Sequence, residues 1–116
     1  MYNYIETDPE QLEFIQIATT DELQEGERLL IDIEGDYFAV FKVAGEYYAI
    51  ADLCSHDDGP LAEGDVEGHE VICPRHGARF DMRSGKALTL PAVVDIPAYP
   101  VKIEGDAILV GLPLGD

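Results

Sequence analysis

Leu29, Ile31 and Ile33 alternate with Leu30, Asp32 and Glu34, the period of two that marks a strand with one wet face. Phe14-Ile15-Gln16-Ile17 gives a shorter strand, and Thr20-Asp21-Glu22-Leu23 a turn or single helical turn before Gly26 opens the next element. Glycines punctuate the rest of the chain. Gly35 separates the alternating strand from 37–43, Gly45 separates that run from 47–51, Gly68 breaks 65–72, and Gly105 stands between 99–103 and 107–112. Each lies among β-branched or aromatic residues and beside Asp, Glu or Ala, the composition of tight hairpins that need φ > 0. Strands recurring about every eight to ten residues predict an all-β fold, a small antiparallel sandwich or barrel. No helical period is long enough for a βαβ unit. Residues 1–12 are polar, acidic and aperiodic, an extension held weakly if at all, and 13–116 form one domain.

Two stretches interrupt the rhythm, LCSHDDGPLAEG at 53–64 and CPRHGARFDMRSG at 73–85. Both follow a strand and carry Gly and Pro, the setting in which a rigid β scaffold presents a site. A third, 87–100, holds Pro91, Pro97 and Pro100 and is expected to lie against one of the others. Tyr37, Phe38, Phe41, Tyr47, Tyr48, Phe80 and Tyr99 are assigned to core and sheet-face packing, with Phe80 also placed to exclude water from a site in the second stretch.

Composition narrows the partners. Seven Lys+Arg against 24 Asp+Glu give the 116-residue chain a formal charge of −17, which repels nucleic-acid phosphate and anionic lipid. The same like charge favours a monomer. Two cysteines allow at most one disulfide, unlike a stapled secreted domain. The start lacks the basic and apolar segments of a signal peptide, and the apolar stretch at 107–114 is far shorter than the ~20 residues of a membrane span. These features predict a soluble, cytoplasmic protein of a reducing compartment.

Both cysteines and two of the three histidines fall in one pattern, Cys54-x-His56, sixteen residues, Cys73-x-x-His76. A single Cys–His pair could be a buried thiol and a solvated imidazole; two matched pairs on two Gly/Pro-bearing segments call for chemistry. Structural zinc takes two thiolates and two imidazoles, but zinc fingers keep both Cys in one knuckle, whereas here each knuckle is mixed. A Cys–His nucleophile pair leaves the second pair unexplained. A [2Fe–2S] cluster with His replacing Cys on one iron accounts for the mixing, each segment giving its Cys to one iron and its His to the other. His69, outside the set, is expected to be solvated.

On these residues the chain resembles the Rieske family, specifically the soluble Rieske-type [2Fe–2S] ferredoxins of ring-hydroxylating dioxygenase-like systems. The similarity continues through PLAEG (60–64), ICPRHGARFD (72–81), SGKALTLPA (84–92) and YPVKIEGD (99–106). It implies a β scaffold with a cluster-binding subdomain at about 53–92, one cluster per chain on Cys54, His56, Cys73 and His76, and histidines with one ring nitrogen near solvent. High-potential relatives carry a bracing cysteine in each loop, where this chain has Gly59 and Arg75. They also place Ser and Tyr hydroxyls on cluster sulfurs, where this chain has Ala78 and Phe80. Losing those hydrogen bonds lowers the potential, toward the bottom of the ~ −150 to +300 mV Rieske window.

The resemblance implies a one-electron carrier rather than an enzyme, serving a flavin-dependent NAD(P)H reductase and a terminal non-haem iron oxygenase. Alternatives are a Rieske-fold accessory subunit of another reductase, of the nitrite-reductase small-subunit type, and a structural Cys2His2 zinc module. Arg75, Gly77, Ala78, Phe80 and Pro91 are candidates for the cluster's surroundings or the partner surface. Arg75, Arg79, Arg83 and Lys86 either form a basic rim on an acidic body or merely offset adjacent acids.

Overall fold

The computed structural model describes residues 4, 8–33, 35–52, 64–74, 77–90 and 95–113. These form ten antiparallel strands in three sheets, with two short 3-10 turns at Pro9–Gln11 and Thr20–Glu22. The all-β expectation holds, and among the described residues no helix is long and apolar enough to cross a membrane.

The central sheet has the order β2-β3-β4-β8, from β2 (Arg28–Ile33), β3 (Asp36–Val43), β4 (Glu46–Ala51) and β8 (Ala98–Tyr99). One flanking sheet is β1-β10-β9, from β1 (Leu12–Thr19), β9 (Val101–Glu104) and β10 (Ala107–Pro113); the other is β5-β6-β7, from β5 (Val66–Glu67), β6 (Glu70–Ile72) and β7 (Arg79–Asp81). β3 explains the layering. Its run Phe38-Ala39-Val40-Phe41 is buried throughout, because successive side chains enter opposite cores. Phe38 and Val40 pack with Ala49, Ile108 and Val110 on one side. Ala39 and Phe41 pack with Ile50, Val71, Cys73, Phe80 and Ile96 on the other.

The predicted hairpins sit where the glycines placed them. Between β3 and β4, Ala44 (φ 54°) and Gly45 (φ 80°) are both left-handed, the type I′ turn whose twist matches the strands. The Glu25 carboxylate accepts both turn amides, Ala44 at 2.6 Å and Gly45 at 2.9 Å. Those two bonds, Gly45's the larger, hold the Glu25 carboxyl below the usual carboxylate range.

Several boundaries move. β1 runs from Leu12 to Thr19 and so extends the 14–17 strand at both ends. The run read as 99–103 is divided. Tyr99 ends β8 in the central sheet and Val101 starts β9 in the flanking sheet, with Pro100 between them. The 73–85 stretch contains a strand, β7. The N-terminal segment touches the domain at a described residue: the Tyr4 amide donates to Ala98 at 2.8 Å, and its ring stacks on Tyr99 with centroids 5.4 Å apart. Tyr37, assigned to packing, is 61% exposed.

Candidate metal centre

Cys73 follows β6 and stands at the base of the connection to β7. Its amide donates to the Ala78 carbonyl at 2.7 Å, and the Gly77 amide donates back to the Cys73 carbonyl at 3.0 Å. Gly77 has φ 76°, a conformation that lets the chain reverse without Cβ strain. The loop from Cys73 to Ala78 is thereby closed on itself before β7 begins. Cys73 is 1% exposed and packed in the core with Ala39, Val71, Ala78 and Phe80. A buried thiol in an apolar wall, at the root of a closed loop, suits a thiolate ligand shielded from water. Of the predicted set, Cys54, His56 and His76 lie outside the described residues, as do Arg75, Gly59 and Pro91.

Among the described residues, the fully buried ones that share the core with Cys73 carry no side-chain hydroxyl, and Tyr48 packs against that core from β4. Ala78 and Phe80 are wholly buried, and the amides of Cys73 and Gly77 are already spent on carbonyls of the same loop. Those fully buried residues are all apolar apart from the thiol.

The third stretch braces the second. Ala87 bridges Phe80, the Leu88 amide donates to Arg79 at 2.8 Å, and the Asp81 amide donates to Lys86 at 2.9 Å. The segment thus runs alongside β7. Gly85 and Ile96 close it, the Ile96 amide donating to Gly85 at 2.8 Å.

The arginines offset acids. Arg79 Nη1 reaches Glu67 at 2.9 Å and Glu70 at 3.2 Å, stitching β7 to β5 and β6. Arg83 donates through Nε and Nη2 to both oxygens of Asp81 at 3.0 Å. Burial raises the Asp81 carboxyl, but the side-chain bonds, amide and charge of Arg83, with His69, outweigh it and bring it below its ordinary value. Of the basic rim, Lys86 is exposed and without an ion pair among the described residues. His69, expected to be solvated, is half-buried edge-on against Tyr48, with centroids 5.4 Å apart and planes at 90°. An aromatic neighbour brought in from β4 gave no signal near residue 69 in the sequence.

The Rieske [2Fe-2S] domain model matches residues 13–100. The ferredoxin component of the naphthalene 1,2-dioxygenase system of Pseudomonas aeruginosa is 39% identical over 99 residues, covering 85% of this chain and 95% of that protein. The ferredoxin of carbazole 1,9a-dioxygenase from Nocardioides aromaticivorans IC177 superimposes with a TM-score of 0.79 at 37% identity, over 84% of this chain and 95% of its own. A chain in the complex of reduced oxygenase and oxidized ferredoxin in carbazole 1,9a-dioxygenase matches with a TM-score of 0.79 at 26% identity, over 84% and 91%. The chain belongs to the Rieske [2Fe–2S] domain family. Within it, the chain is of the ferredoxin kind, a carrier of electrons rather than a catalyst.

Proposed function

We infer that this chain carries single electrons on a low-potential [2Fe–2S] cluster held by Cys54, His56, Cys73 and His76. The observation that carries the reading is Cys73, buried at the root of a loop closed by two of its own hydrogen bonds, in a chain of Rieske type. The cluster, when bound, supplies one-electron chemistry near neutral charge, two ferric ions being cancelled by two sulfides and two thiolates.

The protein's part is to hold and tune. The Cys73–Ala78 and Gly77–Cys73 hydrogen bonds hold the two ends of the second ligand loop together. Phe80 and Ala78 keep water from the thiol. Because neither supplies a hydroxyl to sulfur, the extra electron is stabilised less than in high-potential relatives. The −17 body disfavours reduction further, within the ~8–10 Å over which salt leaves charges unscreened.

The partners follow from the relatives. A naphthalene dioxygenase system uses one relative as its ferredoxin component, and another is seen with an oxygenase. This chain, by the same role, passes electrons from an NAD(P)H-dependent flavin reductase to a terminal non-haem iron oxygenase in the cytoplasm. Electron transfer from a reductase to an oxygenase that requires this chain supports the reading; turnover undiminished in its absence overturns it.

A further inference from the structure

Arg28 begins β2, at the edge of the central sheet, and its side chain reaches the described residue Gly64. Its Nη1 donates to the carbonyl oxygen of Gly64 at 2.5 Å. Its guanidinium carbon lies 5.4 Å from the centroid of Phe41, its cross-strand partner on β3. Phe41 is fully buried in the core that contains Cys73.

Gly64 is itself buried and directly follows 53–63, the segment with Cys54 and His56. The next residue, Asp65, accepts the Ile72 amide at 2.8 Å, and Ile72 precedes Cys73. One guanidinium therefore meets the chain where the first ligand segment ends and the pairing that leads to the second begins. We propose that Arg28 is a positioning residue for the cluster: it fixes the Gly64 junction against the central sheet and so sets the separation of the two ligand segments. This role rests on Cys54, His56, Cys73 and His76 being the ligands.

A loop anchored at its far end has fewer conformations to lose when its ligands are drawn to the metal. The Gly64 carbonyl is buried, and removing its charged donor leaves an acceptor that water must reach or that stays unsatisfied. A planar guanidinium can lie over a ring and still donate sideways, whereas a lysine ammonium can replace the hydrogen bond but not the plate.

The test compares Arg28→Ala, Arg28→Lys and Glu25→Ala, the last a hairpin variant remote in sequence from the ligand segments. Each is isolated with its cluster and followed by loss of visible absorbance under chelator, thermal melting by circular dichroism, and the line width of the reduced-state EPR signal. Arg28→Ala is expected to lose its cluster about tenfold faster than wild type, the factor one such hydrogen bond is worth, with a broadened EPR line. Arg28→Lys recovers part of both, and Glu25→Ala keeps the wild-type line whatever its melting shift. Loss by Arg28→Ala at the wild-type rate, or no faster than by Glu25→Ala, or an Arg28→Lys variant as fast as Arg28→Ala, overturns the proposal. If Arg28→Ala cannot be isolated with a cluster, Arg28→Lys is read against Glu25→Ala by the same criteria. A wild-type protein holding zinc in place of iron overturns the ligand set and this proposal together; an iron–sulfur wild type with unaffected Arg28 variants overturns this proposal alone.

Discussion

The amide of Cys73 donates to the carbonyl of Ala78 at 2.7 Å, so Ala78, directly before β7, lies beside Cys73, directly after β6. A hydroxyl introduced at 78 would therefore enter the surroundings of the Cys73 thiol. Ala78→Ser and Phe80→Tyr are expected to raise the midpoint potential, by about 60 mV for a hydroxyl that gains roughly 1.4 kcal/mol toward the reduced state. A redox titration followed by EPR checks this; unchanged potentials in both would show that neither hydroxyl reaches sulfur.

Gly85 and Ile96 are in closer approach than any side chain permits. A Cβ at residue 85 would stand 2.0 Å from the Ile96 carbonyl oxygen, with φ at 75°. Gly85→Ala must move the backbone that holds 87–90 against β7, at a cost above about 2 kcal/mol. The measurement is chemical denaturation; a variant within about 0.5 kcal/mol of wild type would contradict the packing.

The β3–β4 turn carries strain that a substitution can relieve. Ala44 adopts φ 54°, a conformation Asn tolerates better than Ala. Ala44→Asn is expected to gain about 0.5 kcal/mol and raise the melting temperature by about 2–4 °C. Glu25→Gln, which weakens acceptance from the Ala44 and Gly45 amides, should lower it.

Asp81 ties acid stability to Arg83. Its folded pKa lies below its ordinary value, so the stability it contributes is complete above the unfolded carboxylate pKa, about 3.9, and is lost as pH falls through the lower folded value. Melting of wild type and Asp81→Asn, followed from about pH 6 downward through the unfolded carboxylate pKa, should show the two curves converging as pH falls. Parallel curves would mean that the Asp81–Arg83 pair contributes no linkage.

What could be read from the residues depended on how local its cause was. The hairpins at Gly35, Gly45, Gly68 and Gly105 were legible because the turn and its flanking strands lie within a few residues. Leu29, Ile31 and Ile33 pointed inward as their alternation required. Short strands were harder. β7 has only Arg79, Phe80 and Asp81, and it exists because β6 and the 87–88 segment pair with it from both sides. The divided run at Tyr99 and Val101 was hidden because Pro100 ends one strand and leads into another without altering the apolar pattern. Along the chain Arg79 and Arg83 fitted a basic rim and the offsetting of adjacent acids equally well, and only the fold brings Glu67 and Glu70 across to Arg79. That Cys73 directly follows a strand was legible, while the hydrogen bonds from Cys73 to Ala78 and from Gly77 to Cys73 were not.

The electron-carrying role depends on Cys54, His56, Cys73 and His76 holding a two-iron cluster. Iron and acid-labile sulfide analysis of the purified protein, together with reduced-state EPR of wild type and His76→Ala, tests it most directly. Two iron and two sulfide per chain are expected, the one [2Fe–2S] cluster of a Rieske centre. The EPR signal should have the low average g characteristic of histidine-ligated clusters and be lost in His76→Ala. Stoichiometric zinc in a colourless protein, or a Rieske signal that survives the substitution, would contradict the assignment.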